Sequence, residues 1–380
     1  MGGGGSAMAS IPVPKATKLV PRTGLGAWIR ALTAGSTVMA PVKDEGKSLF
    51  RELEPGEEDL IDLHTVHTVN SPKGAILPQT EALLTYQSTT DGEGGKSLRL
   101  EPTAGPRPVI LFGVRPCDAA AVELFNNVFL TGDFVDDHYK SRRDGLTVVA
   151  VACRQPAKAC FCTAFDLSPG GERGADVVLY DRSGPGRGTP DAGSGAFYAV
   201  AYTDKGEALL ESSEAAAAGV APVPAGEGQD LGRVVAAYRG LETPLGAKLG
   251  RVDVASKLDN LFESPYWEKV AARCISCGTC TFVCPTCYCF GVADCGAGGG
   301  GVRFRYWDSC KFPQFMLMAA GHNPRPAKKA RTRQRFMHKL NYYHHRYGEY
   351  LCVGCGRCVE SCPVGLHLPQ VVGEVRGLEQ

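Results

Sequence analysis

Eight of the chain's sixteen cysteines fall in two copies of one spacing. CISCGTCTFVCP runs from Cys274 to Pro285 and CVGCGRCVESCP from Cys352 to Pro363, each reading C-x2-C-x2-C-x3-C-P. Three thiolates at two-residue gaps can close round three corners of an iron–sulfur cube, while the fourth, before proline, points away to a neighbouring cube. The expected ligand sets are therefore crossed. Cys274, Cys277, Cys280 and Cys362 would hold one 4Fe-4S cluster, and Cys352, Cys355, Cys358 and Cys284 a second. Structural zinc, the other use of close cysteines, takes separated C-x2-C pairs and gains nothing from the third cysteine or the trailing proline.

Four more cysteines lie earlier, Cys117 in RPCD and Cys153, Cys160 and Cys162 in CRQPAKACFC. If the strands before Cys117 and Cys153 are parallel neighbours, both thiols emerge at one sheet edge, and a third 4Fe-4S cluster on these four is the hypothesis. The alternative is that Cys117 and Cys153 are buried apolar thiols, a common use of free cysteine. Cys287, Cys289 and Cys310 read either as an additional site or as thiols beside the clusters, and Cys295 as solvent-near. His322–Tyr347 carries eight Lys and Arg and no acid. That pattern is a solvated helix face or, beside a redox centre, a docking surface for an acidic partner or an anion.

The elements that must position these residues divide the chain into a flexible N-terminus (1–14), a mixed α/β domain (15–240) and a mainly helical dicluster ferredoxin domain (241–380). The fold class is α+β. In the first domain, helical stretches are expected near Trp28–Leu32 and Glu81–Tyr86, and buried strands at VILFGV, LTVVAVAC, DVVLY and AFYAVAY. Asp118 is expected to cap a helix through AAAVELFNNVF, giving a βαβ-like unit. RSGPGRGTPDAGSG reads as a surface loop and Ser212–Asp230 as a mobile loop or linker. The 67 residues between Cys284 and Cys352 exceed the hairpin of a compact ferredoxin and read mainly helical after Phe312.

A net charge of +1 argues against coating nucleic acid. The N-terminus lacks a secretory pattern and no apolar run reaches membrane-span length, so a cytoplasmic protein with reduced thiols and no membrane partner is expected. No G-x-G-x-x-G between strand and helix and no P-loop is present, so no nicotinamide or flavin site is visible. The chain reads as passing electrons without substrate chemistry of its own.

Beyond the cluster motifs, NSPKGAILPQTEALL, FGVRPCDAAAV, the D..Y..RR stretch at Asp137–Arg143, CFC, CTFVCPTCYCFGVAD, WDSC, GHNPRP and HRYGEYLCVGCGRC stand together. With them the chain resembles the beta subunit of the cytoplasmic nickel–iron sulfhydrogenase family, and the related A subunit of anaerobic sulfite reductase. The resemblance spans about Lys18 to Val371. It implies a relay of electrons through 4Fe-4S clusters between a flavin subunit that meets NAD(P)H and the small and large subunits of a nickel–iron hydrogenase. The same relay could serve sulfite reduction or a heterodisulfide-reductase-like flavin complex. A stand-alone redox sensor or structural iron–sulfur protein is the reading from another class.

Overall fold

The computed structural model describes residues 12–90, 96–103, 105, 107–186, 195–297 and 299–378. Its larger sheet has eight strands: β1 (Ala16–Pro21), β2 (Thr37–Asp44), β3 (Lys47–Glu52), β6 (Val109–Val114), β7 (Leu146–Val151), β8 (Val177–Asp181), β9 (Ala196–Ala201) and β10 (Ala221–Pro222). Their order is β10-β1-β9-β8-β7-β6-β2-β3. Strands β2, β6, β7 and β8 run parallel to their neighbours in that group. The outer pairs are antiparallel.

Near-continuous apolar runs form the central strands because both faces of the sheet are covered. Phe112, Val149, Val151, Val177 and Leu179 join Trp28 and Ile29 of the helix Arg22–Gly35 in one core layer. Residues one position away, Leu111, Val148, Ala150, Val178 and Tyr180, point to the other face, with Val122 and Phe125 of the helix Pro116–Phe129. The period-two alternation of a strand thus feeds two layers from one apolar segment.

A second, four-stranded antiparallel sheet joins β4 (Thr80–Thr90) and β5 (Lys96–Pro102) to β11 (Phe290–Ala297) and β12 (Gly300–Trp307), in the order β11-β12-β4-β5. Two expectations change here. The Glu81–Tyr86 stretch is strand rather than helix, because its Thr and Tyr residues pair with β12 and β5, and this cross-strand packing overrides the short helical period of EALL. The first half of the insert between the cluster motifs is an antiparallel hairpin, which adds two strands to the domain expected to be mainly helical. Its second half is the helix Lys328–Met337, continued by a π-helical turn His338–Tyr342 and the helix Tyr343–Tyr347. Trp267, Phe336, Leu340, Leu368 and Val371 form the core beneath it.

Ser212–Asp230 is structured and not a free linker. Ser212 caps the helix Ser213–Ala217 by accepting from the Ala215 N–H, and a longer helix runs Gly228–Arg239. Asp118 does not cap its helix, whose N-cap is Arg115; it lies buried in the first turn, turned toward another partner. Of the loop expected at residues 182–195, residues 187–194 lie outside the described residues, as do 1–11 of the N-terminus. Among the described residues no helix is long and apolar enough to cross a membrane.

Candidate metal centres

Both C-x2-C-x2-C-x3-C-P motifs fold alike. Each begins in extended backbone, passes a glycine in the left-handed region (Gly278, φ 77°; Gly356, φ 91°) and enters one helical turn, Thr279–Phe282 or Arg357–Glu360. That turn carries the third cysteine and leads into C-P. The helix Tyr266–Arg273 delivers Cys274, its Tyr266, Trp267 and Val270 buried in the core below.

One cavity is lined by Cys274, Cys277, Cys280 and Cys362, with Lys311 and Arg335 completing its wall. The fourth cysteine therefore comes from the other motif. Cys284, Cys352, Cys355 and Cys358 converge beside it: the Cys284 and Cys358 charges act on both Cys352 and Cys355. Cys280 in turn faces Cys358, so the two seats adjoin. Burial pushes the Cys352 thiol up to about 12. Iron would have to displace that proton on binding.

Cys117 follows β6 and Cys153 follows β7, and the strands are parallel neighbours, so both thiols leave the same edge. Cys160 and Cys162 arrive on the next loop; Cys153 acts on both, and Cys162 and Cys153 act on Cys117. Burial pushes Cys160 up to about 12. Cys117 also faces Cys355, which places this group against the second seat. Two glycines make that closeness sterically feasible. A Cβ on Gly354 (φ 60°) would meet the Phe161 oxygen at 2.4 Å, and one on Gly356 the Ala159 oxygen at 2.5 Å. Phe161 N donates to Gly354 O at 2.8 Å across the same contact.

Residues that sequence reasoning missed hold the seats together electrostatically. Arg357 donates to both carboxylate oxygens of Asp118, at 2.5 and 2.8 Å, with both side chains buried. Lys339 Nζ donates to Cys284 Sγ at 3.3 Å, Thr286 Oγ1 at 2.9 Å and Leu351 O at 2.9 Å. Lys73 Nζ donates to the carbonyls of Thr281 and Cys287 and lies 4.0 Å from the Trp307 ring centre. His67 links Glu360 Oε2 (2.7 Å) to Cys160 Sγ (3.3 Å). A signal for part of this was present, because Arg331, Arg335 and Lys339 recur every four residues on one helix face and all three are buried. The basic run is thus only partly the solvated face that was expected.

These cations supply the test of fit for an anionic group. Lys73, Lys311, Arg335 and Lys339 are at most 6 % exposed, and among the described residues none pairs with a carboxylate. Isolated buried cations are costly and require anions nearby. Thiolate-ligated cubes, each of about two negative charges when oxidised, are anions of the right kind.

The remaining thiols form contacts of their own. Cys287 faces Cys284, whose thiol is lowered by that hydrogen bond and, against burial, by Lys339. Cys310, hydrogen-bonded to Cys289, lowers the Cys289 thiol to about 7. Cys295 is exposed on β11.

Residues 273–366 match the 4Fe-4S dicluster domain family. The chain is an iron–sulfur protein carrying two 4Fe-4S clusters. It is 29% identical over 344 residues to sulfhydrogenase 2 subunit beta of Pyrococcus furiosus, covering 89% of this chain and 92% of that relative. It is thus similar to that beta subunit along nearly its whole length, and its dicluster domain supports iron–sulfur electron transfer.

Proposed function

We propose that the chain is the electron-transfer subunit of a cytoplasmic NAD(P)-linked nickel–iron hydrogenase, conducting between a flavin subunit that reacts with NAD(P)H and the hydrogenase small and large subunits. The observation that supports this reading is that the three cysteine sets lie within electrostatic reach of one another. Cys274, Cys277, Cys280 and Cys362 are assigned to the first cluster, Cys284, Cys352, Cys355 and Cys358 to the second, and Cys117, Cys153, Cys160 and Cys162 to a third. In this reading Cys280 with Cys358, and Cys117 with Cys355, which act on each other electrostatically, mark where neighbouring sets meet.

When bound, the clusters supply one-electron transfer. The chain's own residues fix the spacing, exclude water and balance charge. The first set reaches the surface, where Cys277 and Ile275 are exposed. An exposed ligand beside an exposed apolar residue is where a partner's redox centre could approach. In this reading residues 15–240 carry the third cluster and residues 241–380 the other two.

Anaerobic purification from the native host, with subunit identification and iron counting on one sample, tests the proposal. A nickel-containing large subunit and a flavoprotein in the preparation support it. A sirohaem partner moves the relay to sulfite reduction, and a lone monomer with redox-inert clusters refutes the relay. Three clusters give about twelve iron atoms per chain and two give about eight. A Cys160→Ser, Cys162→Ser variant with unchanged iron content refutes the third.

A further inference from the structure

The helix face that carries Arg331, Arg335 and Lys339 does three different things. Arg331 is fully engaged with backbone, donating to the carbonyls of Lys311 and Arg325 at 3.0 and 3.2 Å and to that of Pro326. Its role is to tie the loop after WDSC to the helix. Lys339 reaches Cys284 directly and lies beside Cys352, both assigned to the second cluster. Arg335 is 3 % exposed, and among the described residues its buried Nε and Nη2 have no hydrogen-bond partner.

Arg335 lines the cavity of the first cluster, and the thiols that act on it most strongly are Cys280 of the first set and Cys358 of the second. It therefore stands where the two seats adjoin, with two N–H groups free to point at whatever fills them. Lys311, beside Arg335 in the lining of the same cavity, acts on Cys274 and Cys280 of the first set and donates to Thr332 Oγ1 at 2.7 Å.

We propose that Arg335 is a counter-cation shared by the two clusters, with Lys311 serving the first alone and Lys339 the second, and that these buried charges set the two reduction potentials. The assignment rests on the ligand sets proposed above. Reduction adds one negative charge to a cluster, so a fixed cation beside it favours the reduced form, and burial keeps solvent from screening the effect. A cation between two cubes also weakens the repulsion that a first electron exerts on a second. The three residues are positioning and tuning groups rather than ligands.

The test is a potentiometric titration followed by EPR on the full cluster-loaded chain. Cys362→Ser and Cys284→Ser variants first assign each signal to a cluster; if they abolish the wrong signals, the ligand sets fail whether or not the cations tune the potentials. Arg335→Met is expected to make reduction of both clusters at least about tenfold less favourable, about 59 mV for a one-electron couple. Lys311→Met is expected to lower the first cluster alone and Lys339→Met the second alone, while the exposed Lys328→Met leaves both unchanged. Arg335→Lys is expected to restore most of the loss. Unchanged potentials with full iron content overturn the proposal, as does an equal shift of both clusters in all three variants. If the Met variants lose iron, Arg335→Lys against Arg335→Gln decides: both retain a donor, only one retains the charge, and equal potentials in that pair overturn the proposal.

Discussion

Replacing Asp118 by alanine would leave the Arg357 guanidinium buried without its carboxylate. The pair is bidentate, at 2.5 and 2.8 Å, and its side chains are 2 % and 0 % exposed. Removing one partner of such a pair costs about 3–5 kcal/mol, because the surviving charge stays desolvated. Arg357 also feels Cys355 and Cys117, so a cluster on Cys355 would offset part of that cost. The loss should therefore lie near about 3 kcal/mol in the loaded protein and nearer about 5 kcal/mol without iron. Against a total stability of about 5–15 kcal/mol this is a large fraction. Anaerobic urea titration, followed by far-UV circular dichroism and by cluster absorbance, measures it. An Asp118→Leu, Arg357→Met double variant removes both charges and should return to within about 1 kcal/mol of the wild type. A single-variant loss below about 1 kcal/mol, or a double variant as damaged as the single, would refute the reasoning.

Gly354→Ala forces a Cβ to 2.4 Å from the Phe161 oxygen at φ 60°, so a loss of about 1–3 kcal/mol is expected, read as a lower urea midpoint and faster iron release to a chelator. Burial holds His338 neutral and lowers its pKa from 6.5 to about 4, with Tyr288 Oη 2.9 Å from its Nε2. The unfolded chain takes up that proton first, so the contribution is complete above pH 6.5 and is lost as pH falls toward 4, by up to about 3 kcal/mol. His338→Gln should flatten the pH dependence of the midpoint across that window; an unchanged slope would count against it. Cys362→Ser should abolish the EPR signal of the first cluster and Cys284→Ser that of the second; the reverse pattern would show uncrossed ligation.

What can be read from sequence is whatever depends on local spacing. The two cysteine patterns carry their own geometry, since a left-handed glycine and one helical turn suffice to bring three thiols together. The buried strands are legible because VILFGV and LTVVAV are almost wholly apolar, which only a sheet covered on both faces requires. EALLTYQSTT misleads because a four-residue helical period says nothing about β12, more than 200 residues away, whose Arg305 holds Glu81 in a buried pair at 2.6 Å. The hairpin escapes for a similar reason: alternating residues on either side of a glycine run signal a turn between strands, but the strand β12 pairs with, β4, lies more than 200 residues away. Lys73, Asp118 and Lys311 look like ordinary surface or capping residues because their partners are distant in sequence.

Besides the shared β4–β12 ladder, several contacts between residues 15–240 and 241–380 fall at the cysteine sets themselves. Gly354 and Gly356 press the second cluster loop onto residues 159–162, and Arg357 reaches across to Asp118, one residue after Cys117. Tyr343 Oη donates to Leu124 O at 2.7 Å, and Arg173 bridges Glu123 and Glu349, both at 2.6 Å. If Cys117 and its neighbours hold the proposed third cluster, a loose connection would let it drift from the Cys355 group, and tunnelling between redox centres weakens steeply with separation. The buried Arg357–Asp118 pair and the Phe161–Gly354 backbone contact instead hold the two groups together, which under the proposed third cluster gives the RPCD and CFC motifs a physical reason to occur beside the two cluster motifs.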